Sequence, residues 1–232
     1  MFEVTVADHL LAVLFAVGLP AWGYLSFPRV RRRLAADEPG VRIRLYRRTI
    51  TWQWMATALV IGLWLGLGRS PGALGLRLPA GLGGWIGLGV AALVMGLMTQ
   101  QALSLRARPD LHAEVFTQLD QAAPFLPRTT AETSWFFGTA LTAGICEEVM
   151  FRGFLLSYAA VALGPWGAVF GTSLAFGIGH LYQGRTGAIK TAIAGLVFGT
   201  LLVTTGSLLA PMILHAFIDV HGGLVYRIVR KR

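Results

Sequence analysis

Charge is scarce in this chain. Asp, Glu, Lys and Arg make up 13% of its 232 residues, about half of the ~25% usual in a soluble domain. So little charge excludes a water-soluble globule, and 55% hydrophobic residues exclude intrinsic disorder. Cysteine is scarcer still: Cys146 stands alone, which excludes a disulfide scaffold. Acidic residues number 11 against 20 Lys plus Arg, a net charge of +9. In a soluble protein that excess would point to nucleic acid. Here the basic residues crowd into gaps between apolar runs, the signature of membrane topology, so no nucleic-acid partner is expected. A basic leader segment and a small-residue cleavage site are also missing. Glu3, Asp8 and His9 precede the first apolar run, which therefore reads as a retained span rather than a removable signal peptide.

What the chain does have is long apolar runs, at about residues 10–27, 50–68, 82–104, 134–162, 166–182, 188–205 and 207–227. Most approach the ~20 residues needed to cross a bilayer. The expected fold is all-α, a polytopic transmembrane helix bundle of about seven spans, with room for an eighth in the long fourth run. The stretch from Arg29 to Arg48 carries eight arginines. Its simplest role is to fix orientation on the cytoplasmic face, with contact to anionic lipid as a secondary one. Parity then places the amino terminus outside, the 105–133 connection inside, and the Arg230-Lys231-Arg232 tail in the cytoplasm of a multi-pass cell-membrane protein. Residues 1–133 read as amino-terminal spans with a basic loop and a short interfacial helix carrying Leu111, Val115, Leu119 and Ala122. Residues 134–232 read as the remaining helices of the same integral membrane domain, the part in which the intramembrane polar residues are concentrated. Thr129 and Glu132 form a capping box ahead of the fourth run. Gly62/Gly66 and Gly195/Gly199 have the spacing of close helix packing.

A charged side chain at mid-membrane costs at least ~2.5–3.5 kcal/mol on insertion scales, so each one demands a reason. Three sets stand out. They are Glu147-Glu148-Val149-Met150-Phe151-Arg152 in the fourth run, Phe176-Gly177-Ile178-Gly179-His180 near the end of the fifth, and His215-Ala216-Phe217-Ile218-Asp219 in the seventh. Glu148 and Arg152 are four apart, acid first, and suit a buried structural ion pair. Glu147 lies ~100° round the helix with no partner on its own helix, the condition of a general base or acid. His215 and Asp219 are again four apart and can face one cavity. If these helices gather, Glu147, His180, His215 and Asp219 line a wet polar pocket. Water held by a glutamate and a histidine there can attack a carbonyl, and a second histidine or protonated acid can stabilise the oxyanion.

The ordered trio EExxxR (147–152), FxxxH (176–180) and HxxxN/D (215–219) resembles the CPBP family, the type II CAAX prenyl endopeptidases and bacteriocin-processing enzymes. The resemblance covers roughly residues 134–220. It implies an intramembrane endopeptidase acting on a membrane-associated peptide or prenylated protein. Carried over, Glu147 and His180 activate the hydrolytic water and His215 and Asp219 support the oxyanion. Glu148, Arg152 and Phe176 support the motifs. Many relatives have asparagine at the last position. An ionised Asp219 cannot donate to an oxyanion, so this residue is either protonated or orients His215.

Glu147, His180, His215 and Asp219 also form a plausible N/O set for zinc. HExxH is absent, and the resemblance favours a glutamate mechanism with no cofactor, zinc being the alternative. Cys146 beside Glu147 reads as an inert buried thiol, and His9, His112 and His221 as packing or interfacial residues. Two non-catalytic rivals remain, a proton or ion path through the same four residues and a silent immunity protein or scaffold. Depth strains the active-site reading. At 1.5 Å per residue, Glu147 lies about 20 Å from the cytoplasmic start of its span, His180 ~9 Å from that face and His215 ~18 Å. A tilt, an overhang of the fourth span or a break near Gly144 would have to absorb roughly 10 Å.

Overall fold

A computed structural model describes residues 2–119 and 122–230. Asp120 and Gln121, at the end of the expected interfacial helix, lie outside the described residues, as do Lys231 and Arg232 of the basic tail. Among the described residues there are helices and no strands. Helix α1 spans Val6–Ala35, opening on a capping box between Thr5 and Asp8. It widens into a π turn at Leu14–Gly18, just before Pro20, which has no N–H to give the α-helical ladder. It is followed by α2 (Val41–Gly66), α3 (Gly81–Ala107) and the short α4 (His112–Leu119). Helix α5 (Thr130–Glu147) runs through a π-helical turn (Glu148–Leu155) into α6 (Leu156–Gly179). Finally come α7 (Gly184–Thr205) and α8 (Leu209–Val229).

Gly164 breaks α6 with φ 67° and ψ 170°. Pro165 pushes its predecessor out of the α region, and a positive φ requires glycine there. The chain therefore folds back at Gly164. Among the described residues it makes seven traverses of the bundle, as the apolar runs predict, and the long fourth run holds one traverse rather than two. By length and apolarity alone five stretches among the described residues qualify as membrane spans, the 50-residue Thr130–Gly179 among them. That stretch supplies two traverses across the Gly164 fold. Helix α2 is the less apolar one, with arginines in its first turns and Gln53 within it.

The contacts at the two ends fix the parity. At one end Arg42 donates to the Pro124 carbonyl (3.1 Å) and Tyr46 to that of Phe125 (2.5 Å). There too Arg230 donates to the Arg128 carbonyl (3.0 Å), and Phe27, Phe125 and Tyr182 cluster. The hydrogen bond from the Arg42 guanidinium holds the Asp37 carboxyl below the usual carboxylate range at this end. At the other end Arg69 donates to both oxygens of Asp8 (2.7 Å each). Ser207 donates to the Arg77 carbonyl and the Leu208 N–H to that of Gly75. The basic loop, the 105–133 connection and the end of α8 thus share one face, and the start of α1 lies on the opposite one.

Large apolar side chains cover the outside, among them Leu10, Val17, Trp85, Leu93, Phe170 and Ile193. That is the surface a multi-pass membrane protein turns to lipid. The main core joins Leu11, Phe15 and Trp64 of the amino-terminal half to Val149, Phe154 and Phe176 of the other. Leu111, Val115, Phe116 and Leu119 lay the short α4 region against Leu105, Val225 and Val229. The two glycine pairs behave differently. A Cβ at Gly195 would meet Ser173 Cα at 3.1 Å and one at Gly199 would meet Val169 at 3.1 Å, so this pair brings α7 close to α6. Gly62 and Gly66 have no such neighbour within 4 Å, which corrects their reading as packing residues.

Candidate active site

The π turn carries the acidic motif. π turns are uncommon and cluster at functional sites, because widening the helix re-aims the side chains that follow. Every residue from Glu148 to Leu155 is buried. Glu148 and Arg152, at 0% and 1% side-chain exposure, form the expected ion pair at 3.0 Å. The same carboxylate oxygen, Oε1, also accepts from His215 Nδ1 at 2.8 Å, across from the π turn to α8. The Arg152 guanidinium lies 4.1 Å from the Phe176 ring centroid and 5.3 Å from that of Phe198. A buried charge pair is stable only when such further contacts offset the lost hydration.

The His215 ring stacks on Phe198 (5.1 Å, 20°) and meets the edge of Phe176 (5.9 Å, 85°). With Nδ1 engaged by Glu148, Nε2 is the atom left facing the site. It lies 3.9 Å from Glu147 Oε2 and 3.9 Å from Asp219 Oδ2. His180 stands just past the end of α6, where the backbone leaves the helix (φ −102°, ψ 11°). Its Nδ1 is 2.7 Å from the Phe176 carbonyl. A carbonyl can only accept, so the proton sits on Nδ1, and in the neutral ring Nε2 is an acceptor. That Nε2 lies 3.9 Å from the same Glu147 Oε2. One carboxylate oxygen thus faces two imidazoles from two other helices. Phe176 supports both, being 4.6 Å from His180 as well.

Glu147, His180 and His215 come together as the pattern predicts, and Asp219 joins them at the rim with 38% of its side chain exposed. The three side chains meet despite the expected offset of roughly 10 Å in depth, and no break at Gly144 absorbs it. Gly144 is regular helix, so close to α8 that an added Cβ would lie 2.6 Å from the Ala216 nitrogen. The helix widens only after Glu147, in the π turn, and the fifth traverse ends at Gly179, where His180 leaves the helix. Cys146 is fully buried. His9, His112 and His221 bond away from the site, to the Tyr158 hydroxyl and to the carbonyls of Leu105 and Met98.

Gln53 of α2 was not anticipated. Its Nε2 donates to Glu147 Oε1 at 2.6 Å. Thr57, one turn further along, is also buried, and its hydroxyl has no hydrogen-bond partner among the described residues. The signal was legible: a lone glutamine inside an apolar run is an intramembrane polar residue that needs a partner. Among the described residues no group of three or more His, Cys, Asp or Glu side chains is gathered at metal-binding spacing.

Residues 129–221 match the family model described as type II CAAX prenyl endopeptidase Rce1-like. No curated protein and no solved structure matches the chain. The matched region begins at the Thr129 cap and takes in all three motifs, and it supports the CPBP family for this chain. The first four helices, Gln53 included, lie outside it.

Proposed function

We propose that this multi-pass CPBP-family membrane protein hydrolyses a peptide bond of a membrane-associated or prenylated CAAX-type substrate, with Glu147 and His180 activating the water. The family match supports a CAAX-type membrane protease in general. The observation that carries the finer reading is the placement of Glu147 Oε2 at 3.9 Å from both imidazole Nε2 atoms. That distance is too long for a direct hydrogen bond and within reach of one bridging water. Water between Glu147 and His180 loses a proton to this pair while its oxygen bonds to the substrate carbonyl carbon. The carbonyl becomes an oxyanion beside His215, whose ring is held by Glu148. Collapse breaks the C–N bond, and the proton taken from water passes to the leaving amine.

Asp219 completes the oxyanion side, donating when protonated or fixing the charge on His215 when ionised. Glu148 and Arg152 act as positioning residues. The amino terminus faces outward and the basic end is cytoplasmic, as the positive-inside rule requires. The chemistry runs without a metal, a reading that rests on the family resemblance.

The test uses the full chain in lipid nanodiscs with a panel of prenylated and unmodified fluorogenic peptides. Cleavage by the wild type, abolished in both Glu147→Ala and His180→Ala, is the expected result. Ion flux without cleavage would refute the protease reading. Activity lost on exhaustive chelation and restored by zinc alone would overturn the metal-free mechanism.

A further inference from the structure

We infer that Gln53 is a positioning residue for Glu147, so that α2, outside the matched region, completes the active site. This rests on the function proposed above. The two carboxylate oxygens of Glu147 have different surroundings. Oε1 accepts from Gln53 Nε2 at 2.6 Å, while Oε2 has no hydrogen-bond partner among the described residues and faces His180 and His215 at 3.9 Å. An isolated glutamate on a helix can rotate about its terminal torsion and exchange its oxygens. Here a donor from a neighbouring helix holds one oxygen, and the other is turned toward both rings.

The geometry points to the amide nitrogen as the essential atom. Gln53 is 7% exposed and its own Oε1 has no partner among the described residues. Its contact with Glu147 therefore carries the recognition. A carboxylate only accepts hydrogen bonds, so the NH2 end of the amide must face it. Donation to a charged acceptor in a low dielectric is among the stronger hydrogen bonds. It restrains the base without taking up the oxygen that meets water. Packing alone would need only a side chain of this volume, so Gln53→Met separates the two roles. In Gln53→Glu the shape persists, but the group donates only while protonated, and two ionised carboxylates at this distance repel.

Two readouts in nanodiscs test the inference. Infrared titration isolates the protonated carboxyl band of Glu147, identified by its loss in Glu147→Gln. In Gln53→Met this band moves to higher wavenumber, as for a carbonyl that has lost a donor. In the peptide assay Gln53→Met lowers kcat by roughly 10- to 100-fold with KM unchanged, the loss of one charge-assisted hydrogen bond. Gln53→Glu recovers activity as the pH falls and loses it as the pH rises, a dependence that a space-filling role would not create. An unmoved band in Gln53→Met overturns the inference whether or not any peptide is cleaved. A moved band with wild-type kcat overturns the catalytic part of it. If the wild type itself cleaves nothing, the proposed function fails, and the band still decides whether Gln53 holds Glu147.

Discussion

Gly144 offers the sharpest test of how the site is held together. It sits one turn before Glu147 on α5, against Ala216 of α8, the neighbour of His215. A Cβ added at Gly144 would lie 2.6 Å from the Ala216 nitrogen and Cβ and 2.8 Å from its Cα. Ordinary contact is at about 3.5–4.0 Å, and backbone atoms cannot swing aside as a side chain does. Gly144→Ala therefore forces α5 and α8 apart by about 1 Å at their crossing. Glu147 and His215 ride on these two helices, with 3.9 Å between Oε2 and Nε2. Overpacking a filled core costs about 1–3 kcal/mol, and misplacing reacting groups by about 1 Å costs roughly 100-fold in rate. The expected result is a roughly 100-fold fall in kcat with a lowered unfolding temperature. Both are measured in nanodiscs by peptide cleavage and thermal unfolding. Gly62→Ala is the control, since a Cβ there has no such neighbour within 4 Å, and it keeps wild-type activity. A Gly144→Ala protein with unchanged kcat and unfolding temperature would refute the claim that this contact sets the distance between base and imidazole.

Two further outcomes follow from the buried groups. Arg152→Met leaves Glu148 charged and buried with its guanidinium partner gone, so it destabilises by about 3–5 kcal/mol. Adding Glu148→Gln restores part of that loss, and denaturation of the single and double variants reads the difference. An Arg152→Met protein as stable as the wild type would contradict the pairing. Cys146→Ser keeps most of the peptidase activity, because the thiol is fully buried and takes no part in the proposed chemistry. Near-total loss of cleavage in a folded Cys146→Ser protein would restore the thiol as a nucleophile.

Much of the fold was legible in the chain because lipid leaves few choices. Backbone groups in hydrocarbon must be satisfied within the segment, so long apolar runs become helices, and arginine-rich gaps fix how the traverses alternate. The Thr129–Glu132 capping box was equally local and is present. The pairing of Glu148 with Arg152 followed from four-residue spacing alone. What spacing could not supply was the sharing of Glu148 Oε1 with His215 Nδ1, sixty-seven residues away. Nor could it supply the π turn. Depth counted at 1.5 Å per residue places each group along its own helix, and the count carries no information on how neighbouring helices are offset. The glycine pairs make the same point: identical spacing at 62/66 and 195/199 meets open surroundings in one case and α6 in the other.

By itself the sequence determined that this protein crosses a membrane on helices, and which few polar side chains must escape the lipid by finding one another. Those outcomes depend on composition and on periods of a few residues, which any stretch of chain carries locally. The tertiary structure alone decided which oxygen of Glu147 meets the histidines, that Glu148 braces His215, and that Gln53 reaches in from α2. Such choices are fixed by distances between helices far apart in the chain. Those distances come from how closely small residues let the backbones approach, which no local pattern records.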